Sequence, residues 1–276
     1  MRSRVLGILV VLAGLPLWAQ VSVEVGSGGL LPTSAGRDVG DGALIHAPRR
    51  SVGPAPGRAR GDSIWESPNW SGYAVVGSAF TQARGSWVVP AVDCTVTRNG
   101  SVSFWVGIDG WVDDTVEQTG TDSDCDGGQP KYYAWYEFFP KAGVTITSVA
   151  VSPGDTMVAE VDYDGSDFTI TMTNLNTGES YSTSAAVPGA KRESAEWIAE
   201  MNGNVLSDFG TVRFGSDFTG AMNSNYATDA TTSGTIGAFG KSVQASIMVA
   251  GKDVDEAVPS FLSLDGTSFT VNWWSK

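Results

Sequence analysis

The run "SVSFWVGIDG", Ser101 to Gly110, decides the fold. Side chains alternate faces along a β-strand. Val102, Phe104, Val106 and Ile108 therefore make one apolar face, and Trp105 and Asp109 share the other. Outward from this run the same signature recurs, as "SGYAVVG", "GSWVVP", "KYYAWYEFFP", "VTITSVAV", "TMVAEVDYDG", "GTVRFG", "VQASIMVA" and "SFTVNWW", each bounded by Gly, Asn, Asp or Pro. Punctuation such as "DYDGSD" and "TNLNTGES" joins successive runs as antiparallel hairpins. No helical stripe exceeds a turn or two, and Glu193 to Met201 is the one ambiguous window. The expectation is an all-β domain, a sandwich of two antiparallel sheets of jelly-roll or concanavalin-like type, with a closed barrel as the structural alternative.

The ends of the chain have a different character. Arg2 and Arg4, an apolar run from Val5 to Trp18 and Ala19 at a small-residue cleavage position predict a signal peptide over residues 1–19, hence a secreted, extracellular protein with no membrane span. Residues 20–65 are rich in Gly, Pro, Ala and Arg and lack apolar periodicity, which predicts a flexible basic prosegment of a zymogen. Residues 66–276 then form the β-sandwich domain. Residues 1–65 hold 7 of the 17 Lys and Arg and 4 of the 30 Asp and Glu, which leaves a net charge of −16 on residues 66–276. So acidic a domain argues against nucleic acid or an anionic membrane as partner, because phosphate binding needs clustered cations. It also suits low pH, where protonation relieves self-repulsion.

Cys94 and Cys125 are the only cysteines, and in an exported chain their default is one intramolecular disulfide. The only histidine, His46, lies in the expected prosegment. The domain thus has no material for a Ser-His-Asp or Cys-His triad or for His-ligated zinc, and no metal or other cofactor is expected. Hydrolytic chemistry would have to run on carboxylates, amides, hydroxyls or lysine, and with lysine scarce in residues 66–276 the carboxylates are the natural candidates.

Parity sorts those groups. In "VEQTGTD", Val116, Gln118, Gly120 and Asp122 share one face, opposite Glu117 and Thr119; by this rule Glu117 points away and is an ordinary strand residue. In "YYAWYEFF", Tyr133, Trp135, Glu137 and Phe139 share a face, and in "SAEWIAE", Glu196, Ile198 and Glu200 oppose Trp197. Trp105 with Asp109, Gln118 with Asp122, and Trp135 with Glu137 set aromatics or an amide beside acids. That mixture describes a cleft for an uncharged polymer or a peptide. The same residues also fit solvated strand faces, with Trp105 and Trp135 in a core.

Six motifs in order, "NWSGYAVVG", "GSWVVP", "FWVGIDG", "VEQTGTD", "YYAWYEFFP" and "SAEWIAE", resemble the glutamic peptidases, or eqolisins, from about Asn69 to Asn272. The resemblance implies an acid endopeptidase with polypeptide substrates on a sandwich of two curved sheets. Its catalytic glutamine maps onto Gln118 and its catalytic glutamate onto Glu196. Trp105 belongs to the same cleft by parity. Asp109, Asp122, Trp135 and Glu137 map as supporting residues. The expected assembly is a monomer, with the prosegment, through Arg49, Arg50, Arg58 and Arg60, as a possible inhibitor over the acidic cleft. Two alternatives stay open: a β-sandwich glycoside hydrolase using paired acids such as Glu137 and Glu196, and a non-catalytic carbohydrate-binding module.

Overall fold

The computed structural model describes residues 59–61, 63–251 and 254–274. The expected signal peptide, nearly all of the expected prosegment and His46 lie outside these residues, as do Arg49, Arg50 and Arg58. Among the described residues, strands dominate, with one four-residue α-helix, Ser216–Thr219, and one 3-10 helix, Ile236–Ser242.

The strands form one hydrogen-bonded sheet that bends over into two layers. The first layer runs β2 (Ile64–Ser67), β16 (Val243–Ala250), β3 (Trp70–Val76), β12 (Ser194–Glu200), β5 (Ser103–Ile108), β6 (Val116–Asp126), β7 (Gln129–Phe139) and β8 (Val144–Ile146). The second runs β17 (Val254–Pro259), β18 (Phe269–Trp273), β13 (Thr211–Phe214), β4 (Gln82–Val88), β9 (Thr156–Tyr163), β10 (Phe168–Asn174) and β11 (Ser180–Ala185). The β16–β17 hairpin connects the layers, and all pairings are antiparallel except β2 with β16. The ambiguous window at Glu193 to Met201 is strand β12, paired on both edges, with β3 and with β5. The expected boundary at residue 66 falls inside the fold. β1 (Ala59–Gly61) pairs with β2, and Trp65 Nε1–H donates to Gln244 Oε1 at 2.8 Å. Composition reads these residues as a flexible segment, because strands of three and four residues are too short to show a period.

The layers face each other through one apolar core. Phe104 of β5 meets Phe214 of β13 with ring centroids 6.5 Å apart, and Tyr73 of β3 meets Phe269 of β18 at 4.8 Å. Two tryptophans bury their rings in this core and satisfy their N–H across it: Trp87 of β4 donates to Thr121 Oγ1 of β6, and Trp197 of β12 to the Arg84 carbonyl of β4, each at 2.9 Å. The outer face of the second layer is polar, with hydroxyl pairs Thr169–Ser184, Thr171–Ser182 and Thr173–Ser180 bridging β10 and β11. The expected disulfide joins Cys94 to Cys125, with Cα atoms 5.4 Å apart and a sequence separation of 31. Closing such a loop contributes about 3 kcal/mol in the chain-entropy view.

β5 and β12 have no exposed position at all. One face of each enters the inter-layer core. The other enters a second apolar cluster of Trp70, Ala74, Trp105, Trp111, Trp135 and Ile198 on the far side of the first layer. That second cluster marks the candidate site.

Candidate active site

Strand register places the key side chains in rows across the first layer. Glu196 on β12 lies opposite Gly107 on β5, Gly107 opposite Gln118 on β6, and Gln118 opposite Glu137 on β7. Directly opposed residues of antiparallel neighbours project from the same face. Glu196 and Gln118 are thus two strands apart, about 9–10 Å between backbones, with a glycine between them. The gap depends on that glycine: a Cβ at Gly107 would sit 3.1 Å from Gln118 Cβ and 3.1 Å from the Trp105 ring. The next row reads Ile198, Trp105, Gly120 and Trp135, and the one beyond it Glu200, Ser103, Asp122 and Tyr133.

Within this face the polar groups hold one another. Gln118 Nε2–H donates to Glu137 Oε2 at 2.6 Å, which fixes one amide hydrogen and leaves a second. Gln118 Oε1 has no hydrogen-bond partner among the described residues. Trp105 Nε1–H donates to Glu200 Oε2 at 2.9 Å, and Asn69 Nδ2–H reaches Glu200 Oε1 at 3.3 Å. Asp122 receives the Tyr133 hydroxyl at 2.8 Å and is bonded to Ser103 Oγ, itself bonded to Asn202.

Glu196 is different. It is fully buried, and neither carboxyl oxygen has a hydrogen-bond partner among the described residues. Burial pushes its pKa well above the usual carboxylate range. The Ser194 hydroxyl, near but outside hydrogen-bonding geometry, works against that push, while the negative charges of Asp109, Asp113 and Glu117 add to it. Desolvation thus makes this carboxyl a stronger base than one in water.

Asp109 departs from the parity expectation. β5 ends at Ile108, and Asp109 takes a left-handed backbone, φ 70°, so alternation no longer assigns its direction. Its carboxylate accepts the backbone N–H groups of Lys191 (2.9 Å), Arg192 (2.7 Å) and Glu193 (2.7 Å), the segment that leads into β12. Burial carries its pKa up to about 6 in spite of those three bonds. Asp109 thus braces the strand that bears Glu196.

Gln118, Glu137, Glu196, Trp105, Trp135 and Asp122 share one buried face of the first layer. Tyr133 and Glu200 lie on it too, and the alternation that selected their neighbours also points to them. Trp70 and Trp111 were not legible in this way. Trp70 begins β3 and meets Trp105 edge-on at 5.1 Å; Trp111 sits on the β5–β6 loop and packs against Trp70 at 6.4 Å. Trp111 belongs to no strand, so no period reports its position. Among the described residues no group of three or more His, Cys, Asp or Glu is arranged to hold a metal.

A paired amide and carboxyl on one face of a two-layer β-fold is the arrangement to compare with known proteins. Residues 68–255 match the Peptidase A4 family, and the chain belongs to it, among the glutamic peptidases that its motifs resemble. It is 32% identical over 176 residues to aspergillopepsin-2 of Aspergillus niger, covering 54% of this chain and 62% of that relative, and so spans less than two thirds of it. It is 32% identical over 197 residues to scytalidopepsin B of Scytalidium lignicola, covering 67% of this chain and 70% of the relative. The fold is similar to the crystal structure of scytalido-glutamic peptidase with a transition state analog inhibitor, with a TM-score of 0.61 at 22% identity over 75% of this chain and 98% of that one. Aspergilloglutamic peptidase from Aspergillus niger superposes with a TM-score of 0.52 at 28% identity, covering 63% and 99%.

Proposed function

We propose that this chain is a secreted endopeptidase that cleaves polypeptides in acid, with Glu196 as general base and acid and Gln118 as oxyanion donor. The observation that carries this reading is the row Glu196, Gly107, Gln118, Glu137, in which a desolvated carboxyl faces a tethered amide across one glycine. Peptide hydrolysis needs an activated water, a donor for the developing oxyanion and a proton for the leaving amine. Glu196 removes a proton from water as its oxygen attacks the carbonyl carbon, then returns that proton to nitrogen as the C–N bond breaks. The free amide hydrogen of Gln118 stabilises the tetrahedral oxygen, and its unpartnered carbonyl holds the water. Glu137 keeps the amide turned for both tasks. The amide stays neutral at every pH, so acid costs this donor nothing.

Low working pH agrees with the charge. Glu137, Glu196, Asp122 and Glu200 crowd one face of a domain carrying a net −16, and burial raises the pKa of Glu196 among them. The basic stretch before the domain suits a removable inhibitor of such a surface, and the protein would act as an exported monomer.

The test is hydrolysis of a denatured protein at acid pH by wild type and by Glu196→Gln. The variant keeps the shape and loses only the titrating group, so turnover should vanish while circular dichroism is unchanged. Wild-type activity should resist inhibitors of serine, cysteine, metallo- and aspartic peptidases. Activity at alkaline pH that a chelator blocks, or turnover by Glu196→Gln, would overturn the assignment.

A further inference from the structure

Glu117 stands one residue before Gln118 on β6, on the opposite face of the layer. Parity is right about its direction, but that face is the interior of the sandwich. In register it lies between Ile108 of β5 and Phe138 of β7, and it is fully buried. Neither carboxyl oxygen has a hydrogen-bond partner among the described residues. β9 and β10 of the second layer pack against β6 and present Met157, Ala159, Val161, Phe168, Ile170 and Met172 as buried residues.

The charged groups around it bring no compensation. Asp109 and Asp113, from the loop between β5 and β6, repel a charge on Glu117, and Glu196 of β12 couples to it with the same sign. On the lead-in to β12, the Arg192 guanidinium is engaged elsewhere: it donates to the Phe80 carbonyl and stacks on Tyr163. On β7 the same face carries Tyr136, which stacks on Tyr181. On β9 the acids Glu160 and Asp162 engage Gln82, with Arg84 also close to Glu160. An apolar residue at position 117 would complete the core; a carboxyl fits there only while it holds its proton.

We propose that Glu117 is an alkaline release built into the catalytic strand: neutral, it lets β6 dock in the sandwich, and ionised, it drives β6 and Gln118 out of it. Burial, with the charges of Asp109 and Asp113, pushes its pKa up to about 9. The unfolded chain gives up this proton near the ordinary glutamate value of 4.5, while the folded chain keeps it. Stability from this group is therefore complete below about pH 4.5 and falls as pH rises toward 9, the unfolding constant growing roughly tenfold per pH unit. The device would confine the fold itself, and any activity it carries, to acid surroundings.

The experiment is urea unfolding of the full chain, followed by tryptophan fluorescence from about pH 4 to 8, for wild type, Glu117→Leu and Glu117→Gln. Asp109 and Glu196 add slopes of their own in all three proteins, so the difference between proteins is the readout. Both variants should lose one proton's worth of slope, a gap of roughly a thousandfold in the unfolding constant over three pH units. Because the readout is folding, it stands or falls apart from the catalytic assignment of Gln118 and Glu196. Parallel slopes in wild type and variants overturn the proposal. If Leu does not fold, Gln, which keeps the shape without the titration, carries the comparison; failure of both to fold at pH 4 would show the carboxyl to be a structural requirement and also overturn it.

Discussion

Asp109→Ala tests the link between the loop after β5 and the strand that carries Glu196. The native carboxylate accepts three backbone N–H groups, from Lys191, Arg192 and Glu193, at 2.7 to 2.9 Å, and is itself fully buried. Removing it strands three donors, each costing about 1–3 kcal/mol when left unsatisfied. Alanine must also hold φ 70°, which costs about 1 kcal/mol more. The sum is at least about 4 kcal/mol, a large share of the 5–15 kcal/mol typical of a domain. Urea midpoints just above pH 6, where the carboxylate is ionised, measure it directly. Asp109→Asn keeps one acceptor and tolerates the left-handed backbone, so its loss should be intermediate, and Asp109→Gly should exceed alanine in stability by the backbone term alone. In the folded fraction, kcat should fall more than KM rises, because Glu196 follows the gripped segment by three residues. An Asp109→Ala protein within about 1 kcal/mol of wild type, with normal kcat, would refute the bracing role.

Three further outcomes follow from the same geometry. Gln118→Ala should lower kcat by about 10²- to 10³-fold on denatured protein at acid pH, the usual cost of one oxyanion donor; equal turnover would remove Gln118 from the mechanism. Glu137→Leu unties the amide and should lower kcat by roughly 10- to 100-fold through misplacement alone, with the fold checked by circular dichroism. Paired replacement of Cys94 and Cys125 by serine should cost about 3 kcal/mol in urea unfolding while leaving kcat unchanged, since the bridge ties the far end of β6 to a loop.

Much of this site could be seen in the strand alternation alone. "VEQTGTD", "YYAWYEFF" and "SAEWIAE" each assign their side chains to faces without any partner in view, and register then brings Gln118, Glu137 and Glu196 into one row. The method fails where the strand stops. Asp109 lies one residue past the end of β5 with a left-handed backbone, so alternation no longer assigns its direction. Trp111 lies on a loop and Trp65 on a four-residue strand, both too short of period to be placed.

The sequence by itself determined the all-β class, the exclusion of histidine chemistry from the domain, the disulfide and the direction of each strand side chain, because these depend on residue types and on a two-residue repeat. It did not determine what each face meets. Glu117 and Gln118 point opposite ways by local geometry, but only the folding of the second layer over the first makes one direction the apolar interior of the sandwich and leaves the other to a separate buried cluster of acids and tryptophans. Desolvation is a property of the assembled layers. Through it, tertiary structure turns two neighbouring polar residues into a buried acid that opposes high pH and an amide held ready beside a carboxyl.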